Sequence, residues 1–280
     1  MKWNKRKIID RVMSFLTATC VVIAIIPLLS ILYTVAINGM SAIDLDFLTQ
    51  LPRPVGEAGG GLGNAIQGTF IVVGIACLIG LPVGILSGVY LSEYGENRFG
   101  RMVSFVADVL TGTPSIVAGM FGYTFIVLYF GSFSAIAGGA ALSVLMIPIV
   151  TRTTEESLKL VPGSIKEASL ALGIPRWKTT LHIVLSTARS GIITGALLAV
   201  ARISGETAPL LFTSFGNMFW AGGIDEPIST LPVQIYTYAI TPFPDWHAKA
   251  WGGALILIIL ILVLNTGVRL ATRRNIVKGV

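Results

Sequence analysis

Residues 164–185 read Ser164-Ile-Lys-Glu-Ala-Ser-Leu-Ala-Leu-Gly-Ile-Pro-Arg-Trp-Lys-Thr-Thr-Leu-His-Ile-Val-Leu185, a polar, helix-patterned stretch between two long apolar runs. Pro162 and Gly163 break the chain just before it. Ser164 and Glu167 have capping-box spacing, in which Ser at the N-cap and Glu at N3 satisfy each other's amides, so a short helix is expected from about residue 165. Its pattern places Ile165, Ala168, Ser169 and Leu172 on one face, and Gly173 supplies the stop. Pro175 suits the first turn of a second short helix, which carries Trp177, Leu181, Val184 and Leu185 toward the next apolar run. Small side chains at Ala168, Ser169 and Ala171 let the first helix press its backbone against a neighbour, either the rest of this chain or a separate protein.

The flanking runs set the solvent. The chain has 280 residues, 54% hydrophobic and 12% charged, with a mean hydropathy of +0.80. That is far too apolar for a soluble domain. A bilayer core about 30 Å thick needs about 20 apolar residues per helix, and long apolar runs near 12–37, 66–92, 104–130, 135–151, 190–214 and 251–270 give six expected spans. The first follows Lys2, Lys5, Arg6, Lys7 and Arg11 but is too long for a signal-peptide core and lacks a cleavage site, so it reads as an uncleaved span. Cys20 and Cys77 lie inside apolar runs, which supports neither a disulfide framework nor a zinc site. His182 and His247 are too scattered for a metal centre. The net charge of +6 flanks hydrophobic segments, as at a membrane surface, rather than forming a nucleic-acid patch interleaved with aromatics.

Of the 20 Lys and Arg residues, all except Arg53, Lys249 and Arg202 fall in the termini and in the loops at 93–103 and 152–189. The positive-inside rule then puts both termini and those loops in the cytoplasm. Trp220, Trp246 and Trp251 sit at the outer ends of spans and Trp3 and Trp177 at the inner ends, as an aromatic belt. The breaker-rich outer stretch Leu51-Pro-Arg-Pro-Val-Gly-Glu-Ala-Gly-Gly-Gly-Leu-Gly63 reads as a flexible connector. It separates an N-terminal unit (1–63) from a five-helix domain (64–270), followed by a basic tail (271–280). The outer loop at 215–250, with Trp220, Tyr236, Tyr238 and Trp246, suits either interfacial anchoring or the docking of an external protein.

Arg202 belongs to neither side: it is expected at the middle of the fifth span, with Glu206 one turn on and on the same face. An Arg at a helix centre costs about 2.5–3.5 kcal/mol on insertion scales, so the two residues read as an intramembrane pair. Either they glue helices together, or the guanidinium fork receives a tetrahedral oxyanion. Glu206 then positions Arg202 or accepts a hydrogen bond from a protonated anion. Asp108 is expected as a helix-end carboxylate reaching water, with exposure of a pathway by a kink at Pro114 as the alternative. Gly112, Gly119 and Gly122 read as close-packing positions.

The string Glu167-Ala168-Ser169, three residues, Gly173, nine residues, Ile183-Val184-Leu185 resembles the EAA loop of ABC importer permeases. It departs from that pattern at Ser169, where the family has a second Ala, and at Ser186, where Pro is usual. Ala201-Arg-Ile-Ser-Gly-Glu-Thr-Ala-Pro-Leu-Leu-Phe-Thr213 is similar to the fifth-span motif of phosphate-specific ABC permeases. The Ala-Pro after Gly-Glu-Thr matches one of that subfamily's two permease subunits rather than the other, which has Met-Ala. Asn64-Ala-Ile-Gln-Gly-Thr69, Asp108-Val-Leu-Thr-Gly-Thr-Pro-Ser-Ile-Val117 and Arg152-Thr-Thr-Glu-Glu-Ser157 agree with it.

The resemblance implies an all-α, six-helix type I ABC importer permease fold in the bacterial cytoplasmic membrane and a role in phosphate import. It implies Arg202 and Glu206 on the substrate pathway, and Glu167, Ala168, Ser169, Gly173, Ile183 and Leu185 as the ATPase-coupling surface. Implied partners are a second permease, two cytoplasmic ATPases carrying ATP and Mg, and an external phosphate-binding protein. The chain itself has no phosphate-loop motif, because its Gly59-Gly-Gly-Leu-Gly63 run precedes no Lys-Ser or Lys-Thr; no cofactor, metal site or catalytic residue is expected in it. A sulfate or molybdate permease, or an ion-coupled secondary transporter with Glu206 as proton carrier, are the alternatives. The latter commonly shows internal repeats, and none is visible.

Overall fold

The computed structural model describes residues 2–277 except Ala58, with side chains from 5 to 270. The side chains of the expected basic tail from residue 271, and residues 278–280 entirely, lie outside the described residues, as does the side chain of Trp3. Among the described residues there are helices and no strands. Long helices are α1 (Lys2–Met40), α3 (Gly63–Tyr94), α6 (Ala135–Lys159), α8 (Arg176–Ser204) and α11 (Pro244–Val277), each apolar enough to cross a bilayer. Shorter ones are α2 (Leu45–Thr49), α4 (Arg98–Gly112), α5 (Ser115–Phe130), α7 (Gly163–Ala171), α9 (Ala208–Thr213) and α10 (Leu231–Ala239). An all-helical chain is what hydrocarbon demands, since every backbone polar group must find its partner within the segment.

The expected third span is not one helix. Thr113 and Pro114 leave the helical conformation, and α4 meets α5 at 106°. Proline has no N–H for the preceding turn and drives the residue before it toward extended conformation. The expected fifth span, 190–214, is also revised: α8 starts at Arg176 and ends at Ser204, and α9 resumes after Gly205-Glu206-Thr207. Pro209 sits in the first turn of α9, where a missing N–H costs nothing. The stretch 215–250, expected as an outer loop, contains α10, which buries Leu231, Val233, Gln234 and Tyr238 and packs on α11. Trp246 is partly buried, its ring centroid 4.7 Å from that of Tyr238 and its indole nitrogen out of water, so it packs against the core near the start of α11.

Lipid supplies no hydrophobic drive between helices, so close packing of small residues must hold the bundle. α3 and α6 meet along such a seam. A Cβ on Gly80 would lie 2.9 Å from Met146 Sδ, on Gly84 2.7 Å from Val150 Cβ, and on Gly88 2.6 Å from Thr154 Cβ. Spaced by four, these glycines form one strip of α3 on which α6 rests. Val72, Ala76, Leu142, Met146, Val150, Ala199 and Ile203 complete the core.

The end of the Gly-rich stretch, residues 60–63, is buried, while residues 53–57 and Gly59 are exposed. Gly61 N–H donates to Leu51 O, Leu62 N–H to Phe47 O and Gly63 N–H to Gln50 O; Gly61 leaves no room for a Cβ against the carbonyls of Asp46, Phe47 and Gln50. α1, by contrast, is exposed along most of its length and touches α11 near Val35 and Gly39. Gly84→Leu is expected to lower stability by at least about 1–3 kcal/mol through overpacking, read as a lower thermal midpoint of the purified protein in detergent. An unchanged midpoint would contradict the seam.

Candidate functional site

Arg202 is in the last turn of α8, not at the middle of a continuous span, and Glu206 follows the helix end rather than sharing the helix. The structure nevertheless brings them together, Arg202 Nε lying 3.9 Å from Glu206 Oε1. The helix closes with tightened turns, Gly205 N–H donating to Arg202 O and Glu206 N–H to Ile203 O. A cation at a helix C-terminus faces the negative end of the helix dipole, which offsets part of its cost. The Arg202 side chain is 58% exposed while that of Glu206 is 19% exposed, so the carboxylate is set back and the guanidinium presented. Ser190, Thr194, Leu198 and Arg202, at four-residue spacing, form an exposed stripe of α8, whereas Ile192, Gly195, Ala199 and Ile203 turn into the bundle.

Pro209, just beyond the break, is held by α5: a Cβ on Gly119 would stand 2.6 Å from Pro209 Cα, and one on Gly122 2.9 Å from Thr213 Cγ2. These two are close-packing glycines, as expected. Gly112 is not, for a Cβ there meets nothing within 4 Å.

A second charged group emerges where sequence showed only a loop cation and a helix-end carboxylate. Arg152 lies inside α6, and its guanidinium donates to Asp108 Oδ1 (Nε, 3.0 Å), to Ser104 Oγ (2.7 Å) and O (3.0 Å), and to Glu155 Oε2 (2.7 Å). Glu155 in turn accepts from Lys159 Nζ at 2.6 Å. Asp108 does reach water, but it also ties α4 to α6. The Arg152/Glu155/Lys159 spacing of three and four was the signal available in sequence; the partners Ser104 and Asp108, more than forty residues away, required the fold.

The polar loop at 152–189 forms α7 and the start of α8. Pro162, not Ser164, occupies the N-cap of α7, and no side chain caps it. The expected Ser164/Glu167 box does not form, because Pro162 already sets the extended entry and Gly163 begins the helix. The stop is as expected: Gly173 has φ +79°, Gly173 N–H donates to Leu170 O and Ile174 N–H to Ser169 O, a complete Schellman motif. Ser169, which stands where the resembled pattern has Ala, is buried and shares a 2.8 Å hydrogen bond with Thr179 Oγ1. Thr179 opens a π-helical turn, Thr179–Val184, within α8; such turns recur at functional sites. The helix continues through Ser186 without a break. Val184 is buried, Ile183 and Leu185 are partly buried, and Glu167, Ala168 and Gly173 face outward. Leu160, Leu172, Trp177 and Leu181 add large exposed apolar side chains to the same region.

Residues 80–277 match the family described as binding-protein-dependent transport system inner membrane component. Among solved structures, the fold is similar to the methionine ABC transporter MetNI in inward-facing conformation, with a TM-score of 0.55 and 22% identity over 76% of this chain and 92% of that one. It is similar too to an amino acid ABC transporter, with a TM-score of 0.55 and 17% identity over 75% and 92% of the two chains. Fold and family thus define a membrane permease subunit of an ABC importer. The Haemophilus influenzae phosphate transport system permease protein PstA is 46% identical over 96% of each chain. The Yersinia pestis PstA is 43% identical over 94% of this chain and 89% of its own length. The chain belongs to the PstA family of binding-protein-dependent permeases.

Arg152→Ala leaves Asp108 and Glu155 without their half-buried cation, an expected loss of roughly 1–3 kcal/mol, between the exposed and buried limits for ion pairs. Thermal unfolding of the purified protein checks it; a midpoint equal to that of the parent would contradict a structural role for the cluster.

Proposed function

We propose that this permease subunit carries inorganic phosphate inward across the bacterial cytoplasmic membrane past Arg202, in an assembly driven by separate ATPases. The observation that carries the reading is the presented guanidinium of Arg202 at a break in α8, backed by the recessed Glu206. A planar fork of donors matches tetrahedral oxyanion geometry, and a charged group at membrane depth implies a water-filled path or a partner. The names of the relatives, phosphate transport system permeases, support phosphate as the anion. Glu206 orients the guanidinium, or receives a hydrogen bond from a protonated anion.

In this reading both termini are cytoplasmic, residues 64–270 form the transport domain, and α7 docks on a PstB-like ATPase that binds ATP and Mg. A PstC-like permease completes the pathway, and a PstS-like protein delivers phosphate from outside. Glu167, Ala168, Ser169 and Gly173, with Ile183 and Leu185 behind them, make the docking element. The outward-facing Leu172 and Trp177 are what a hydrophobic groove on a partner would take up. ATP binding draws the ATPases together, moves α7, and switches the pathway between inward and outward access.

Arg202→Ala is expected to abolish ATP-driven phosphate uptake in vesicles while the purified complex keeps all its subunits; uptake at the parental rate would remove Arg202 from the pathway. Leu172→Asp places a charge in the docking surface and is expected to release the ATPase during purification, whereas full retention of the ATPase would refute the docking assignment.

A further inference from the structure

The docking element has few attachments to the rest of its own chain. Its principal packing is against the π-helical turn of α8, where Ser169 meets Thr179. Three residues before Ser169 and on the same face of α7, Lys166 Nζ pairs with Glu93 Oε1 at 2.5 Å beside Thr179 and Thr180, and Glu93 lies in the last turn of α3. The carboxylate is 16% exposed and the ammonium 37% exposed. With its carboxylate partly buried, the pair is screened somewhat less than a fully exposed one, and it joins elements more than seventy residues apart in sequence.

From these contacts we propose that Glu93 is a positioning residue for energy coupling, delivering movement of α7 to α3 as well as to α8. The inference rests on α7 being the ATPase docking element. With the Ser169–Thr179 bond alone, a displaced α7 would pull only on α8. With Lys166 held by Glu93, it also pulls on the cytoplasmic end of α3. α3 cannot yield locally, because Gly80, Gly84 and Gly88 lock it against α6; a packed seam moves as a unit rather than deforming. α6 carries Arg152 and, through it, α4. A polar cavity of about 560 Å³ lies beside Glu93, with Glu96, Ser104, Glu155 and Lys159 also in its wall. The cytoplasmic ends of α3, α4 and α6 therefore have open space between them into which to shift.

The test uses the complete assembly in lipid vesicles and measures phosphate transported per ATP hydrolysed, together with retention of the ATPase. Glu93→Gln and Lys166→Gln are each expected to keep the ATPase bound and to lower that ratio at least about fivefold, the lower end of ordinary coupling energies. The exchanged pair, Glu93→Lys with Lys166→Glu, is expected to restore most of it, which ties the effect to the pair; a residue needed only for stability would lower the amount of assembled complex and leave phosphate moved per ATP unchanged. A parental ratio in Glu93→Gln, or no recovery in the exchanged pair, would overturn the role of Glu93. Loss of the ATPase from Glu93→Gln would also overturn it, by making the pair part of the docking surface. Failure of the docking reading is distinguishable, because it shows as an ATPase retained by the Leu172→Asp variant.

Discussion

The bundle depends on the glycine strip of α3 packed against α6. In water such a contact would be one of many, but in lipid there is no solvent to drive apolar surfaces together, and close approach of backbones supplies what burial cannot. Gly80, Gly84 and Gly88 admit Met146, Val150 and Thr154 where any side chain would collide. α8 uses the same device against α6, a Cβ on Gly191 lying 2.6 Å from Ser157 Oγ. α6 thereby becomes the spine, and the charged residues that matter are fixed relative to it. Arg152 projects from its C-terminal half, and Arg202 ends the helix that lies along it.

Two breaks interrupt the helices beside that rigid frame. Between α4 and α5, Pro114 forces a 106° turn; between α8 and α9, Gly205 and Pro209 end one helix and start another, leaving Arg202 and Glu206 at the gap. Non-helical backbone at membrane depth is tolerated where it is shielded by protein or lines a wet cavity. Here α5 shields the second break through Gly119 and Pro209. A broken helix also places a cation at a helix C-terminus, which an unbroken span would not.

Much of this was legible in sequence because the bilayer leaves so few solutions. Apolar run lengths located the hydrophobic segments, although two of the six expected spans are interrupted, at Pro114 and after Ser204, and Gly173 marked the end of α7 from its position alone. The discrepancies share a physical origin: the sequence pattern reports local preference, while partners decide the rest. Ser164 and Glu167 have the spacing of a capping box, yet Pro162 two residues earlier takes the N-cap. The Gly59 to Gly63 run looks like a flexible linker by composition, and only the carbonyls of Asp46, Phe47 and Gln50 reveal that glycine is there to let backbones touch. Arg202 and Glu206 were identified by their rarity in an apolar run, but periodicity could not announce the helix break between them. Asp108 and Ser104, the partners of Arg152, are distant in sequence, as is Glu93 from Lys166, and no local pattern joins them.

In the proposed function, energy reaches this permease mechanically, from ATP hydrolysed on another chain. This is tested most directly by phosphate uptake into sealed vesicles containing the assembled importer and its external binding protein, compared with and without ATP and with and without the ATPase. Uptake against a gradient is expected only when both ATP and the ATPase are present, with no response to an imposed proton or sodium gradient. Phosphate accumulation driven by an ion gradient in vesicles lacking the ATPase would contradict it.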